Sequence, residues 1–161
     1  MAAHFLMKSE PALTVSFDTN LVIYAHDPRD AAKQETAIGW IDALVIRGNG
    51  VLAAQVLGEF MAATHRKRLT ELTIARDMVD ILYRKFTVLE TDRVARRAAT
   101  ELAEQHGMQF FDALICTVVA RGGATLLLSE DMQDGRVIDG LTILNPFNPV
   151  NAEVISAAIG V

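Results

Sequence analysis

Four acidic residues carry the chemistry of this chain: Asp18 in Val15-Ser-Phe-Asp-Thr-Asn20, Glu59 in Val51-Leu-Ala-Ala-Gln-Val-Leu-Gly-Glu59, Asp112 in Phe110-Phe-Asp-Ala-Leu-Ile115, and Asp131 in Leu126-Leu-Leu-Ser-Glu-Asp131. Each lies beside an apolar segment that reads as part of one buried sheet. Carboxylates brought together repel, and each raises the pKa of the next unless a cation sits between them. A hard, oxygen-only donor set favours Mg²⁺ or Mn²⁺ over Zn²⁺. One or two such ions activate water and stabilise charge on a phosphodiester; a pair roughly 3.5–4 Å apart clamps both attacking and leaving oxygens. Asp18, Asp112, Asp131 and Glu59 are therefore the candidate catalytic residues and metal ligands. Thr19, Asn20 and Ser129 are the candidate supports, supplying hydroxyl or amide hydrogen bonds.

The elements that must position these residues follow from pattern. Val15-Ser-Phe-Asp18 reads as a strand, followed by a short helical turn over Asn20–Ala25 that Asp27-Pro28 ends. Apolar residues at helical spacing predict a helix from Arg29 to about Arg47, stopped at Gly48-Asn-Gly50. A strand at Gly50–Ala53 leads into a helix over Gln55–Arg66. Thr70 is the expected cap of a helix to Tyr83. After a strand at Phe86–Leu89, Thr91 is the expected cap of a helix to His106. A helix at Phe110–Ala120 and strands at Ala124–Leu128 and Leu141–Leu144 complete the series.

Strands alternating with helices imply a parallel sheet covered on both faces, an α/β/α sandwich with about five mostly parallel strands. Ligands in such folds bind outside the carboxyl ends of the strands, which is where the four acids fall. The expected organisation is a leader over residues 1–14, one domain over 15–147 and a tail over 148–161 packing on the domain or a dimer.

At 161 residues, 51% of them hydrophobic, the chain suits one domain with a sizeable core. No apolar run is long enough to cross a bilayer, and Phe5-Leu6-Met7 is too short for a signal-peptide core, so the expected location is the cytoplasm. The net charge of −5 argues against a polyanionic partner until its distribution is considered. Basic residues gather at Arg66-Lys67-Arg68, at Arg84-Lys85 and at Arg93, Arg96 and Arg97, away from the acids. The lone Cys116 excludes an internal disulfide and a thiolate zinc site, and reads as a small buried side chain. His4, His26, His65 and His106 pair with no Ser or Cys in a triad and read as surface or helix-end residues.

The ordered set Phe17-Asp-Thr-Asn20, Glu59, Phe111-Asp-Ala-Leu-Ile115 and Ser129-Glu-Asp131 resembles the PIN-domain nucleases. The closing segment Leu127-Leu-Ser-Glu-Asp-Met-Gln-Asp-Gly135 and Ile143-Leu-Asn-Pro-Phe147 looks like that of the VapC toxins of bacterial type II toxin–antitoxin modules. The likeness runs from about Val15 to Phe147. It implies Mg²⁺- or Mn²⁺-dependent hydrolysis of RNA by activated water, a homodimer, and neutralisation by a VapB-type antitoxin. The family's acidic quartet carries over onto Asp18, Glu59, Asp112 and Asp131, with Asp134 left open as an alternative to Asp131 because Glu130 fills the variable place of the last motif. The antitoxin is expected to lay a helix or extended arm along an apolar groove, with Met61, Leu69, Leu72 and Ile74 as candidate walls. The competing reading is a non-catalytic RNA-binding or scaffold module on the same fold. A phosphatase of the haloacid-dehalogenase type would need a second Asp at position 20, where Asn stands.

Overall fold

A computed structural model describes residues 12–161. Expectations placed on residues 1–11 lie outside them. The elements run β1 (Val15–Phe17), α1 (Thr19–Ala25), α2 (Ala31–Arg47), β2 (Val51–Ala53), α3 (Ala54–Lys67), α4 (Leu72–Lys85), β3 (Thr87–Leu89), α5 (Arg93–His106), α6 (Phe110–Arg121), β4 (Leu126–Leu128), β5 (Val137–Ile138), β6 (Leu141–Leu144) and α7 (Ala152–Ile159). Sheet order is β1-β4-β6-β5 in one sheet and β2-β3 in a second. A parallel bridge between Val15 and Gly50 joins the two. Every pairing is parallel except β5 with β6.

Successive strand residues point to opposite faces of a sheet. All three residues of β1, of β2 and of β4 are buried, so helices cover both faces, giving the mostly parallel α/β architecture expected. On the helices, α5 packs along α6, α1 against α2 and α3, and α3 against α4. The core runs through Phe17, Leu52, Phe60, Leu127, Leu128 and Ile143, all fully buried.

Two helix starts differ from the sequence reading. Asp92, not Thr91, caps α5, its carboxylate accepting from the Ala95 amide at 2.7 Å. The cap position of α4 is Glu71, not Thr70, and no side chain caps it. At α5 the Asp92 carboxylate outcompetes the Thr91 hydroxyl for the free amides of the first turn because charge complements the helix dipole. Strand β5 and helix α7 were not anticipated. β5 has two residues, too short for alternation to register, and α7 is set by Ile155 and Ile159 packing into the core. Among the described residues no helix is long and apolar enough to span a membrane.

Candidate functional site

The parallel register builds the site. Phe17 of β1 lies opposite Leu128 of β4, so Asp18 and Ser129 leave adjacent strands at the same sheet edge. The Asp18 amide donates to Leu128 O at 2.9 Å, extending the ladder by one rung. Asp18 then serves as the N-cap of α1. Its Oδ1 accepts from the Thr19 amide at 2.7 Å and its Oδ2 from Ser129 Oγ at 3.0 Å. Ser129 Oγ also accepts from the Met132 amide at 3.3 Å, which folds the loop after β4 back over the site. Asp18 is only 6% exposed.

Thr19 and Asn20, one and two residues on, each hold another acid. Thr19 Oγ1 donates to Glu59 Oε2 at 2.6 Å. Glu59 sits in α3, which starts directly after β2, and its Oε1 accepts from Gln55 Nε2 at 2.5 Å one helical turn earlier. Asn20 Nδ2 donates to Asp131 Oδ2 at 2.5 Å. Asp112 stands in the first turn of α6 and lines, with Asp131, a pocket of about 460 Å³.

The electrostatics follow from this crowding. Burial pushes the Asp18 carboxyl up to about 6, and the negative charges of Glu59 and Asp112 push the same way. The Thr19 amide and Ser129 hydroxyl oppose them. Asp112 is also raised, by its own burial and then by Asp131 and Glu59. All four acids thus border one region in which each carboxyl is sensed by another. Among the described residues, no three His, Cys, Asp or Glu side chains converge on a single point as a ligand group. The fit to a divalent cation rests on donor chemistry: carboxylate, amide and hydroxyl oxygens only, around a buried acid whose charge is opposed by its neighbours.

Asp134 is turned away from this region. Its carboxylate accepts from the Asn145 amide at 2.8 Å, Asn148 Nδ2 at 2.9 Å and Asn151 Nδ2 at 2.9 Å. It therefore organises the chain between β6 and α7. Glu130 pairs with Lys33 of α2, whose ammonium also lies 4.5 Å from the centre of the Tyr24 ring and 5.2 Å from that of Phe147. The salt bridge raises the Lys33 pKa and ties α2 to the loop that carries Asp131.

Two groups near the acids were missed from sequence. Gln55 carries a signal, the four-residue spacing to Glu59 on one helix face. Lys33 carries none, since its partner is 97 positions away. Cys116 is buried as expected, its thiol pushed up to about 12 by burial, and donates to Met132 Sδ at 3.8 Å. His26 is half-buried, its ring bonded to Val22 O at 2.8 Å. His65 is exposed and His106 half-buried near the end of α5.

An open groove of about 920 Å³ runs beside Glu59, walled by Met61, Val79, Tyr83, Phe110, Phe111 and Leu114. Of the four walls expected from sequence, only Met61 lines it. Leu69 packs against the core, and Leu72 and Ile74 are exposed away from it. Arg66, Lys67, Arg68, Arg84, Lys85, Arg93, Arg96 and Arg97 are all exposed, and Arg96 reaches the groove.

A mostly parallel sheet that gathers oxygen donors at the carboxyl edge of its strands defines an acidic-pocket α/β domain. Residues 15–136 match the model of the PIN domain family, and the chain belongs to that family. Its fold is similar to that of a toxin–antitoxin complex from Klebsiella pneumoniae, with a TM-score of 0.60 at 14% identity over 82% of this chain and 97% of the other. It is similar to VapBC2 from Rickettsia felis bound to a DNA fragment from their promoter, at 0.57 and 17% over 81% and 97%. It is also similar to Mycobacterium tuberculosis VapC20, a Sarcin-Ricin loop cleaving toxin, at 0.58 and 18% over 73% and 91%. No curated protein matches the chain in sequence.

Proposed function

We propose that the chain is a metal-dependent endoribonuclease, the toxin of a toxin–antitoxin pair. The observation that carries the reading is Asp18: a carboxyl 6% exposed, at the end of a buried strand, facing the charges of Glu59 and Asp112. A folded protein keeps such an arrangement at a cost in stability. A counter-charge at the site explains its retention.

Asp18, Asp112 and Asp131 are the residues that would hold Mg²⁺ or Mn²⁺, with Glu59 placed to hold a water or a second ion. The cation, when bound, would supply positive charge at the phosphate and lower the pKa of a coordinated water. The chain's own residues do the positioning. Thr19 and Ser129 fix both oxygens of Asp18, Thr19 and Gln55 fix those of Glu59, and Asn20 fixes Asp131. Asp18 forms the floor and the exposed Asp131 the rim, so a phosphodiester approaches from the side of Asp131 and Asp112. Asp134, engaged by three asparagine-borne groups, belongs to the scaffold in this reading.

The VapBC likeness supports a VapB-type antitoxin as partner; a homodimer as the working form and the cytoplasm as its place belong to the same proposal. An antitoxin arm on the apolar groove would bring a basic side chain to Glu59 and compete for the charge a cation would neutralise.

The test is sequencing of RNA 5′ ends after brief induction of the parental chain and of Asp18→Asn. New ends that appear only with the parental chain support the reading. No new ends, or the same ends with both, would overturn it and favour a binding module that does not cut.

A further inference from the structure

Between the end of α5 and the loop after β4 lies the 460 Å³ pocket that Asp112 and Asp131 border. Its other walls include Met108, Gln109, Gln133 and Arg136. We propose that this pocket receives the base of the nucleotide next to the scissile phosphate and favours guanine, read by Arg136 with Gln109 and Gln133. The inference rests on the ribonuclease reading and names the feature of the RNA that the site selects.

The volume lies within the range of small-molecule sites, about 300–1,000 Å³. The polar lining points to a base rather than a second phosphate. With Asp112 and Asp131 given to the cation, the remaining polar side chains of the lining are Arg136, Gln109 and Gln133, one guanidinium and two neutral amides that offer a base edge both donors and acceptors. Arg136 is half-buried, and its Nη2 donates to His106 O at 2.7 Å. That tether fixes the guanidinium and lowers the entropy lost when its remaining N–H groups bind. Gln109 occupies the cap position of α6, yet its side chain does not cap the helix, so its amide is not committed there. Met108, half-buried, supplies apolar surface for a ring, with the edge of Met132 beside it and the fully buried Ile143 behind. Met132 is also bonded through its amide to Ser129, the partner of Asp18, so the pocket and the acids share one loop.

A guanidinium offers donors only. Guanine answers with two acceptors, O6 and N7, on one edge. Adenine places an amino donor at that edge and would repel it. The side-chain carbonyls of Gln109 and Gln133 can accept from the ring and amino N–H groups of guanine. Single-stranded bases are recognised in RNA by this combination of edge contacts and face packing.

The test uses fluorescently labelled single-stranded hexaribonucleotides, oligo-U with one central G, A, C or U. Binding is measured by anisotropy with the full chain carrying Asp18→Asn, and cleavage with the parental chain. The expected result is roughly ten-fold tighter binding of the G oligomer than of the C oligomer. That ratio should fall toward one with Arg136→Ala added and be reduced with Gln133→Ala added, in variants that melt as the parent does. Gln133 is exposed, so its variant keeps the test valid if loss of the Arg136 tether disturbs the fold. Equal binding of all four oligomers, or a ratio unchanged by both substitutions, would overturn the pocket assignment. Absence of cleavage with the binding ratio intact would overturn the ribonuclease reading and leave the pocket standing.

Discussion

Ser129 Oγ lies 3.0 Å from Asp18 Oδ2, joining residues 111 positions apart. The contact is a direct product of the sheet register. Phe17 and Leu128 pair across parallel strands, so the next residues on each strand leave the sheet side by side. It gives the buried carboxylate a donor that compensates part of its lost hydration.

Asp18 should make stability depend on pH. Its folded pKa is about 6 against an ordinary value of 3.8. Between those pH values the folded chain binds more protons than the unfolded one, so stability falls as pH rises through that window. Above pH 6 the ionised group costs the fold about 3 kcal/mol. In EDTA at pH 7.5, Asp18→Asn is expected to melt several degrees above the parent, with the gap closing below pH 4. Mn²⁺ should raise the melting temperature of the parent but not of the variant. Calorimetry that placed the variant below the parent at pH 7.5 would remove the electrostatic argument for a cation.

Glu59 is aimed by Thr19 on one oxygen and Gln55 on the other. Thr19→Val keeps the shape of a buried side chain and deletes the donor. Cleavage of a fixed RNA substrate should fall about ten-fold with melting little changed, since misplacing a catalytic group by a fraction of an ångström already costs rate. Gln55→Ala should lower the rate in the same direction, and the double variant more than either. Initial rates equal to the parent's in all three would mean that Glu59 needs no positioning.

How much of this was legible in the sequence depends on the range of the interaction. The placement of Asp18, Asp112 and Asp131 was readable because each follows a strand or opens a helix whose apolar pattern is strong, and parallel strands deliver their carboxyl ends to one edge; that of Glu59 was readable because it lies a turn along the helix that leaves β2. The roles of Thr19 and Asn20 followed from adjacency to Asp18, although their partners did not. The Lys33–Glu130 pair and the separation of Asp134 from Asp131 were not readable. Both depend on how the β4–β5 loop closes, which is set by Ser129 bonding the Met132 amide and by three asparagines gathered from beyond β6. The caps were misplaced by one residue each, a resolution that pattern alone does not reach.

Gly50 should be less replaceable than Gly122. A Cβ at Gly50 would stand 2.4 Å from the Phe86 ring, which is 6% exposed and packs edge-on against Phe17 at 5.4 Å. The ring cannot move without displacing β1, the strand that presents Asp18. A Cβ at Gly122 would meet Leu89 Cδ1 at 2.2 Å, the far end of a side chain that is only half-buried and can change rotamer. Gly50→Ala should therefore cost about 1–3 kcal/mol, and Gly122→Ala less. Urea denaturation that ranked the two in the opposite order would mean that the β1–β2 junction yields more readily than its packing implies.

Asp131 and Asp134 are separated by two residues and by role. Asp131 is bonded to Asn20, beside Asp18. Asp134 is surrounded by donors from Asn145, Asn148 and Asn151, which lower its pKa. The lowered value means that its contribution to stability is present above its ordinary pKa and is lost as pH falls through the folded one. Asp131→Asn should abolish RNA cleavage and leave melting nearly unchanged, because the group is exposed. Asp134→Ala should do the reverse. It strands the donors that fasten the segment after β6, so it should cost about 1 kcal/mol while cleavage persists at close to the parental rate. Paired melting curves and cleavage rates decide the matter. A cleavage-dead Asp134→Ala that melts like the parent would move the fourth acid from Asp131 to Asp134.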